Sequence, residues 1–157
     1  MVCGKVAAGK STLTSRLAEA PDTVLLSEDH WMSCLFKEEL KTVADYGRYS
    51  RRLRNAIGGH IEALLKAGLS VVLDFPANTV ATRQWMRTLF ENAGAAHRLH
   101  FLDVPDELCK ARLQKRNAAG THAFVVNDAG EGEDATPWVP TASFGYLRLR
   151  REEYTDE

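Results

Sequence analysis

The sequence predicts a three-layer α/β/α protein built on a mainly parallel five-stranded sheet. Two observations predict it: short extended apolar runs alternate with helical patterns along the chain, and a glycine-bent segment, Gly4 to Ser11 (GKVAAGKS), stands between the first such run and the first helix. A third bounds it, since 157 residues suit one domain that buries around two thirds of its unfolded surface. No internal repeat or low-complexity linker divides residues 1–157, so a single domain is expected.

Taken in order, Val2 and Cys3 are all that remains of the strand feeding the glycine segment. The first helix runs from about Lys10, with Leu13 and Leu17 one turn apart, and Pro21 ends it. A strand over Thr23 to Leu26 follows. A long helical region, roughly Glu38 to Ala67, is expected to break at Gly58-Gly59, and Gly68 suits the position just past a helix end. Then come a strand (Ser70 to Phe75), a helix (about Ala81 to Ala93), a strand (His97 to Leu102) and a helix (about Asp106 to Asn117). Ala118 to Pro140, rich in Gly, Asp and Thr, reads as a mobile lid, and Phe144 to Leu149 as a last strand.

The charge balance of 20 basic to 21 acidic residues exerts no overall pull toward nucleic acid or anionic membrane. Cys3, Cys34 and Cys109 are odd in number and far apart, which fits reduced thiols in a reducing compartment better than disulfides or a zinc site. No stretch approaches the roughly 18 apolar residues of a membrane span, and the amino terminus lacks the apolar run of a secretion signal. A cytoplasmic monomer or weak dimer is expected.

Two glycines five apart, followed by Lys10 and Ser11, let the backbone turn so that successive N–H groups surround an anion. In this phosphate-binding loop Gly4, Lys5, Val6, Ala7, Ala8, Gly9, Lys10, Ser11 and Thr12 form the cradle. Lys10 reaches the β/γ oxygens of a nucleotide and Ser11 a Mg²⁺ ion, and the positive end of the following helix adds to the same spot. Ser27-Glu28-Asp29-His30 lies just beyond the second strand, at the carboxyl edge where ligands of open parallel sheets bind. Asp29 is therefore a candidate base for an attacking hydroxyl, with helix capping by Ser27 or Asp29 as the structural alternative. Val71-Val72-Leu73-Asp74 is an apolar run closed by an acid, the form of a Walker B strand whose carboxylate holds Mg²⁺ directly or through water, with an ordinary strand-end Asp as the structural alternative.

Asn78 would contact substrate or Asp29, or cap the helix after it, and the cap is the expected role. Arg112 and Arg116, four apart with Lys115 alongside, present a cationic face that would stabilise a transferring phosphoryl group, or simply face solvent. Arg48, Arg51, Arg52 and Arg54 would bind an anionic substrate or pair with Glu38, Glu39 and Asp45. The five histidines lack metal spacing, and Trp31, Trp85 and Trp138 suit packing more than stacking platforms.

These residues in this order resemble the small P-loop kinases that share a fold with gluconate kinase, shikimate kinase, chloramphenicol phosphotransferase, the zeta toxins and the 5′-kinase domain of polynucleotide kinase. The resemblance covers nearly the whole chain and is nearest to a bacterial branch of AAA family ATPases. The segments GKVAAGKST, LLSEDHW, SVVLDFPANT and LDVPDELCKARLQKRN, followed by a Gly-His lid, carry it. It implies ATP·Mg²⁺ as donor, Asp29 as base, and Arg112 and Arg116 as lid arginines, and it names no acceptor; transfer of the γ-phosphoryl group to a hydroxyl of a small molecule is the expected reaction, with Lys10 on the phosphates. Relative to that family the first strand is short, with three residues before Gly4, and Asn127 to Thr136 departs from the usual lid end, while Trp138-Val139-Pro140 recovers the pattern. Two alternatives stay open: a polynucleotide or nucleotide-sugar kinase, and a nucleotide-binding regulator with little turnover. No Asn-Lys-x-Asp segment of a guanine-reading switch is present, and no second arginine-bearing helical subdomain of a ring-forming motor.

Overall fold

Among the described residues every strand pairing is parallel. A computed structural model describes residues 1–77, 79–119 and 146–150, with Ala119 and residues 146–150 described by backbone alone. In chain order the elements are β1 (Val2–Gly4), α1 (Lys10–Leu17), β2 (Thr23–Ser27), α2 (Glu28–Leu35), α3 (Val43–Lys66), β3 (Ser70–Asp74), α4 (Val80–Ala93), β4 (Leu99–Asp103), α5 (Asp106–Ala119) and β5 (Tyr146–Arg150).

The expected five strands are present, but their hydrogen bonds form two ladders instead of one, β1-β4-β5 and β2-β3. In the first, Val2 lies opposite His100 and Leu99 opposite Tyr146; in the second, Thr23 opposite Ser70 through to Ser27 opposite Asp74. β1 is only three residues long and pairs with β4. On its other side it meets the second ladder through side chains: Cys3 shares one buried cluster with Leu26 of β2, Leu73 of β3 and Leu99 of β4. A cavity of about 590 Å³ opens at the amino ends of the strands, bordered by Met1, Ile61, Val71, Met86, Leu89 and His100.

α3 differs most from expectation. It begins at Val43, not near Glu38, because a capping box closes its start: the Thr42 hydroxyl accepts from Asp45 N–H while the Asp45 carboxylate accepts from Thr42 N–H. It then runs unbroken through Gly58-Gly59. Leu53, Ile57 and Ile61, spaced by one turn, bury one face and hold the helix on the sheet. Gly58 faces Leu89 and Trp85 of α4, where its missing side chain allows the helices to approach, and Gly59 faces open space. Gly68, at φ +85, ends the unit as expected.

The short helix α2 was not expected; it starts directly after Ser27, whose backbone is extended, and buries Glu28 and Met32. The cap of α4 comes from Thr79, whose hydroxyl accepts from Thr82 N–H, and not from Asn78, which lies outside the described residues. Strand β4 starts two residues later than expected, since His97 stacks on Phe90 with ring centroids 3.8 Å apart. β5 spans Tyr146–Arg150 in place of Phe144 to Leu149. α5 continues through Ala118 and Ala119, the first residues of the expected lid; the rest of that lid, Trp138 included, lies outside the described residues.

A glycine inside a helix with nothing near its Cβ position costs conformational entropy without serving packing. Gly59→Ala is therefore expected to stabilise the protein by about 0.5–1 kcal/mol, read as a higher denaturant midpoint at unchanged slope; an unchanged or lower midpoint would contradict a continuous α3.

Candidate functional site

Close backbone approach explains the first glycine of the loop. A Cβ on Gly4, at φ +152, would stand 3.0 Å from the Leu102 carbonyl oxygen and 3.2 Å from Leu102 Cβ. Ala7 (φ 60) and Gly9 (φ 96) are also left-handed, and such alternation turns successive N–H groups toward one concave side. Ala8 is fully buried beneath the loop, its N–H donating to the Lys5 carbonyl at 3.2 Å. Gly9 precedes α1 and has no side chain to cap it, so the first N–H groups of α1 open toward the same concavity. Across it, Lys10 Nζ donates to the carbonyls of Gly4 (2.9 Å) and Lys5 (2.7 Å). Lys5 points outward, donating to the Val104 carbonyl and pairing with Asp106 at the start of α5.

Charges of both signs converge here. Burial pulls the Lys10 ammonium below its ordinary range, and the negative charges of Asp74 and Asp29 act against that. Asp74 ends β3 and is hydrogen-bonded by Ser11 and Thr14 of α1. Burial pushes its carboxyl up and the charge of Asp29 pushes it further, while Ser11, Lys10 and Thr14 oppose. Asp29 sits in the first turn of α2, where its Oδ1 accepts the Tyr46 hydroxyl at 2.9 Å. Lys10, Ser11, Asp29 and Asp74, chosen from separate motifs, thus lie close enough to act on one another.

Behind Asp29 is a group of residues that sequence reasoning passed over, apart from Arg54, which it offered to an anionic substrate or to Glu38, Glu39 and Asp45 and which the fold turns to Glu28, Ser50 and Thr82 instead. Glu28 is only 2% exposed. Its carboxylate accepts the Ser50 hydroxyl in a short bond, approaches Arg54 Nε at 3.7 Å and lies 3.4 Å from the Tyr46 hydroxyl. Burial still pushes this carboxyl above the usual range, with the charge of Asp29 adding and Ser50, Arg54 and Tyr46 opposing. Arg54 also donates to Ser50 Oγ (2.9 Å) and Thr82 Oγ1 (2.7 Å), which carries the network into α4. The signal available in sequence was the spacing of Tyr46, Ser50 and Arg54, four apart on one helix face, although nothing in it names Glu28 as their partner. Arg83, 4% exposed, donates to the Ala77 carbonyl and steadies the turn after Asp74.

Arg112 and Arg116 fall on α5 one turn apart, as expected. Arg112 lies near Cys109, whose thiol feels Lys5, Arg112 and Lys10 together, so this part of α5 flanks the loop. Arg116 Nε and Nη2 are enclosed with no hydrogen-bond partner among the described residues. Of the other basic residues, Arg48 pairs with Asp45 at 3.0 Å, and Arg48 and Arg52 lie over the Tyr49 ring, itself stacked on Phe36. Trp31 and Trp85 pack against the core, and Cys3, Cys34 and Cys109 are not disulfide-bonded. Among the described residues no cluster of three His, Cys, Asp or Glu could hold a metal, and no helix is long and apolar enough to cross a membrane.

Because ionised Glu28 is disfavoured by burial, the folded state holds its proton to higher pH than the unfolded chain does. Its contribution to stability is then greatest below the unfolded-state value near 4.5 and is lost as pH rises through the higher folded-state midpoint. Glu28→Gln is expected to flatten that decline by at most about 1.4 kcal/mol per pH unit, measured by urea denaturation across a pH series; an unchanged slope would show that Glu28 carries no such burden. Gly4→Ala is expected to cost about 1–3 kcal/mol by strain and contact with Leu102, measured the same way.

Residues 1–130 match the AAA_33 family model, described as an AAA domain. Three solved structures share the fold. A protein of Chloroflexus aurantiacus J-10-fl is 18% identical, with a TM-score of 0.69 over 96% of this chain and 84% of that one. A sugar kinase of Janibacter sp. HTCC2649 is 20% identical, TM-score 0.63, over 96% and 83%. The APS kinase of Mycobacterium tuberculosis, solved with AMPPNP and APS, is 22% identical, TM-score 0.57, over 95% and 86%. No curated protein matches the sequence. With most of its length matched by that model, and with the parallel α/β fold those structures share, the chain belongs to the AAA_33 family of AAA domains.

Proposed function

We propose that this protein is a Mg·ATP-dependent kinase that transfers the γ-phosphoryl group to a hydroxyl of a small molecule. The observation that carries the reading is the convergence of Lys10, Ser11, Asp74 and Asp29 on one concave backbone loop. Phosphoryl transfer asks little covalent chemistry of a protein; positioning and charge neutralisation supply most of the acceleration. The cradle from Gly4 to Thr12 would hold the phosphates, with Lys10 turning from the Gly4 and Lys5 carbonyls to their oxygens. Ser11 and Asp74 are hard oxygen donors of the kind Mg²⁺ takes when phosphate and water complete its shell, so the residues present fit the ion. That ion would neutralise charge on the phosphates. Asp29 would accept the proton of the acceptor hydroxyl, and Arg112 and Arg116 would face the transferring group. An anion would satisfy the enclosed Arg116 nitrogens. The likeness in fold to a sugar kinase and an APS kinase supports an acceptor of small size. A cytoplasmic setting, as a monomer or weak dimer, completes the reading.

One observation favours a second acceptor class. Tyr49, stacked on Phe36 and covered by Arg48 and Arg52, stands one turn along α3 from Tyr46, and aromatic and cationic groups so placed suit a nucleobase or nucleotide phosphate. Salt-sensitive binding of an oligonucleotide, lost in Tyr49→Ala, would select that acceptor over a sugar-like one.

Incubation with γ-labelled ATP, Mg²⁺ and a panel of hydroxyl metabolites is expected to leave label on one of them. Lys10→Ala is expected to abolish the thermal shift given by Mg·ATP. Asp29→Asn is expected to keep the shift and lose transfer by about 10²- to 10⁴-fold. No shift with the wild-type protein, or full transfer by Asp29→Asn, would refute the reading.

A further inference from the structure

We propose that Tyr46 is the positioning residue for Asp29, its hydroxyl held in place by the buried Glu28–Ser50–Arg54 network. This rests on the reading of Asp29 as the proton acceptor.

A phenol has one proton to donate. Two carboxylates lie within reach of Tyr46, Asp29 Oδ1 at 2.9 Å and Glu28 Oε2 at 3.4 Å, so the proton lies toward Asp29 and Glu28 is the weaker, shared acceptor. Glu28 is not free to compete by swinging toward Asp29, because its other oxygen is held by Ser50 and Arg54. Arg54 is in turn fixed at Thr82 in the first turn of α4, and Thr82 bonds Thr79, the cap of that helix. The chain of contacts from Asp29 through Tyr46, Glu28, Ser50, Arg54 and Thr82 to Thr79 therefore ties α2, α3 and α4 together just beyond the carboxyl ends of β2 and β3. Side chains choose among staggered positions, and a carboxylate that accepts a bond from a locked phenol is held toward the one that keeps this bond, which narrows the direction of its remaining lone pairs. That is the property a base needs, since proton transfer depends on a heavy-atom approach of about 3 Å.

The groups facing the Tyr46 hydroxyl are Glu28 and Asp29 on α2, with Arg54 on α3 reaching Glu28, and Lys10 and Asp74 acting on Asp29 from the loop and β3. Burial, followed by the charges of Glu28 and Asp29, pushes the phenol far above its ordinary value, so it stays a donor throughout the physiological range.

The test compares the whole protein as wild type, Tyr46→Phe, Asp29→Asn and the double variant, with Mg·ATP and water as the probe acceptor. Tyr46→Phe keeps the ring and removes only the hydroxyl. It is expected to keep the Mg·ATP thermal shift, to slow release of labelled phosphate by about ten- to a hundredfold, and to have no further effect in the Asp29→Asn background. Wild-type release by Tyr46→Phe, or an undiminished loss in that background, would overturn the proposal while leaving the kinase reading intact.

Discussion

Charge withdrawn from water at the carboxyl ends of β1, β2 and β3 is the constraint around which this molecule is arranged. An ammonium and two carboxylates occupy a space that burial makes costly for each of them separately. The backbone compensates. Carbonyls of Gly4 and Lys5 accept from Lys10, the Ser11 and Thr14 hydroxyls beside Asp74 favour its charged form, and left-handed residues at Ala7 and Gly9 bend the loop around the site. Such a site is held ready before any ligand arrives, and it is strained at the positions where a side chain would close it, Gly4 foremost.

Parallel pairing is what gathers these groups. Because each strand runs the same way, the residues following β1, β2 and β3 emerge along one edge, and the helices that return the chain pack on the faces. α3 is the long rod of this arrangement. Its apolar face at Leu53, Ile57 and Ile61 sits on the sheet, and its amino-terminal part carries Tyr46, Ser50 and Arg54 over the site. One helix thus couples the core to the chemistry, and the capping box at Thr42 and Asp45 fixes where that coupling begins.

Much of the fold was legible because local signals agreed with global ones. The bent loop from Gly4 to Ser11, the acid closing the Val71–Leu73 run, and the helices ending near Ala93 and starting near Asp106 all needed only neighbouring residues to read. The misses have physical causes. Gly58-Gly59 looked like a break, yet Gly58 serves a close helix contact and the stripe through Leu53, Ile57 and Ile61 outweighs the local entropy. Thr42-Val43-Ala44-Asp45 held the signature of a helix start that the apparent run from Glu38 obscured. Asn78 seemed the cap because it is polar and near, but the hydroxyl in register with the first turn belongs to Thr79. Glu28 was hidden for a deeper reason: its partners lie 22 and 26 positions away on another helix, and no spacing rule within one segment finds them.

The split of the sheet into two ladders separates the duties of the site. The ladder of β1, β4 and β5 bears the loop and α5, while the ladder of β2 and β3 bears the acids, with α3 packed on the short helix α2 that carries Asp29. On the proposed reading, side chains of α2 and α3 would be free to diversify, and with them the range of molecules admitted, while nucleotide capture on the neighbouring ladder would stay as it is.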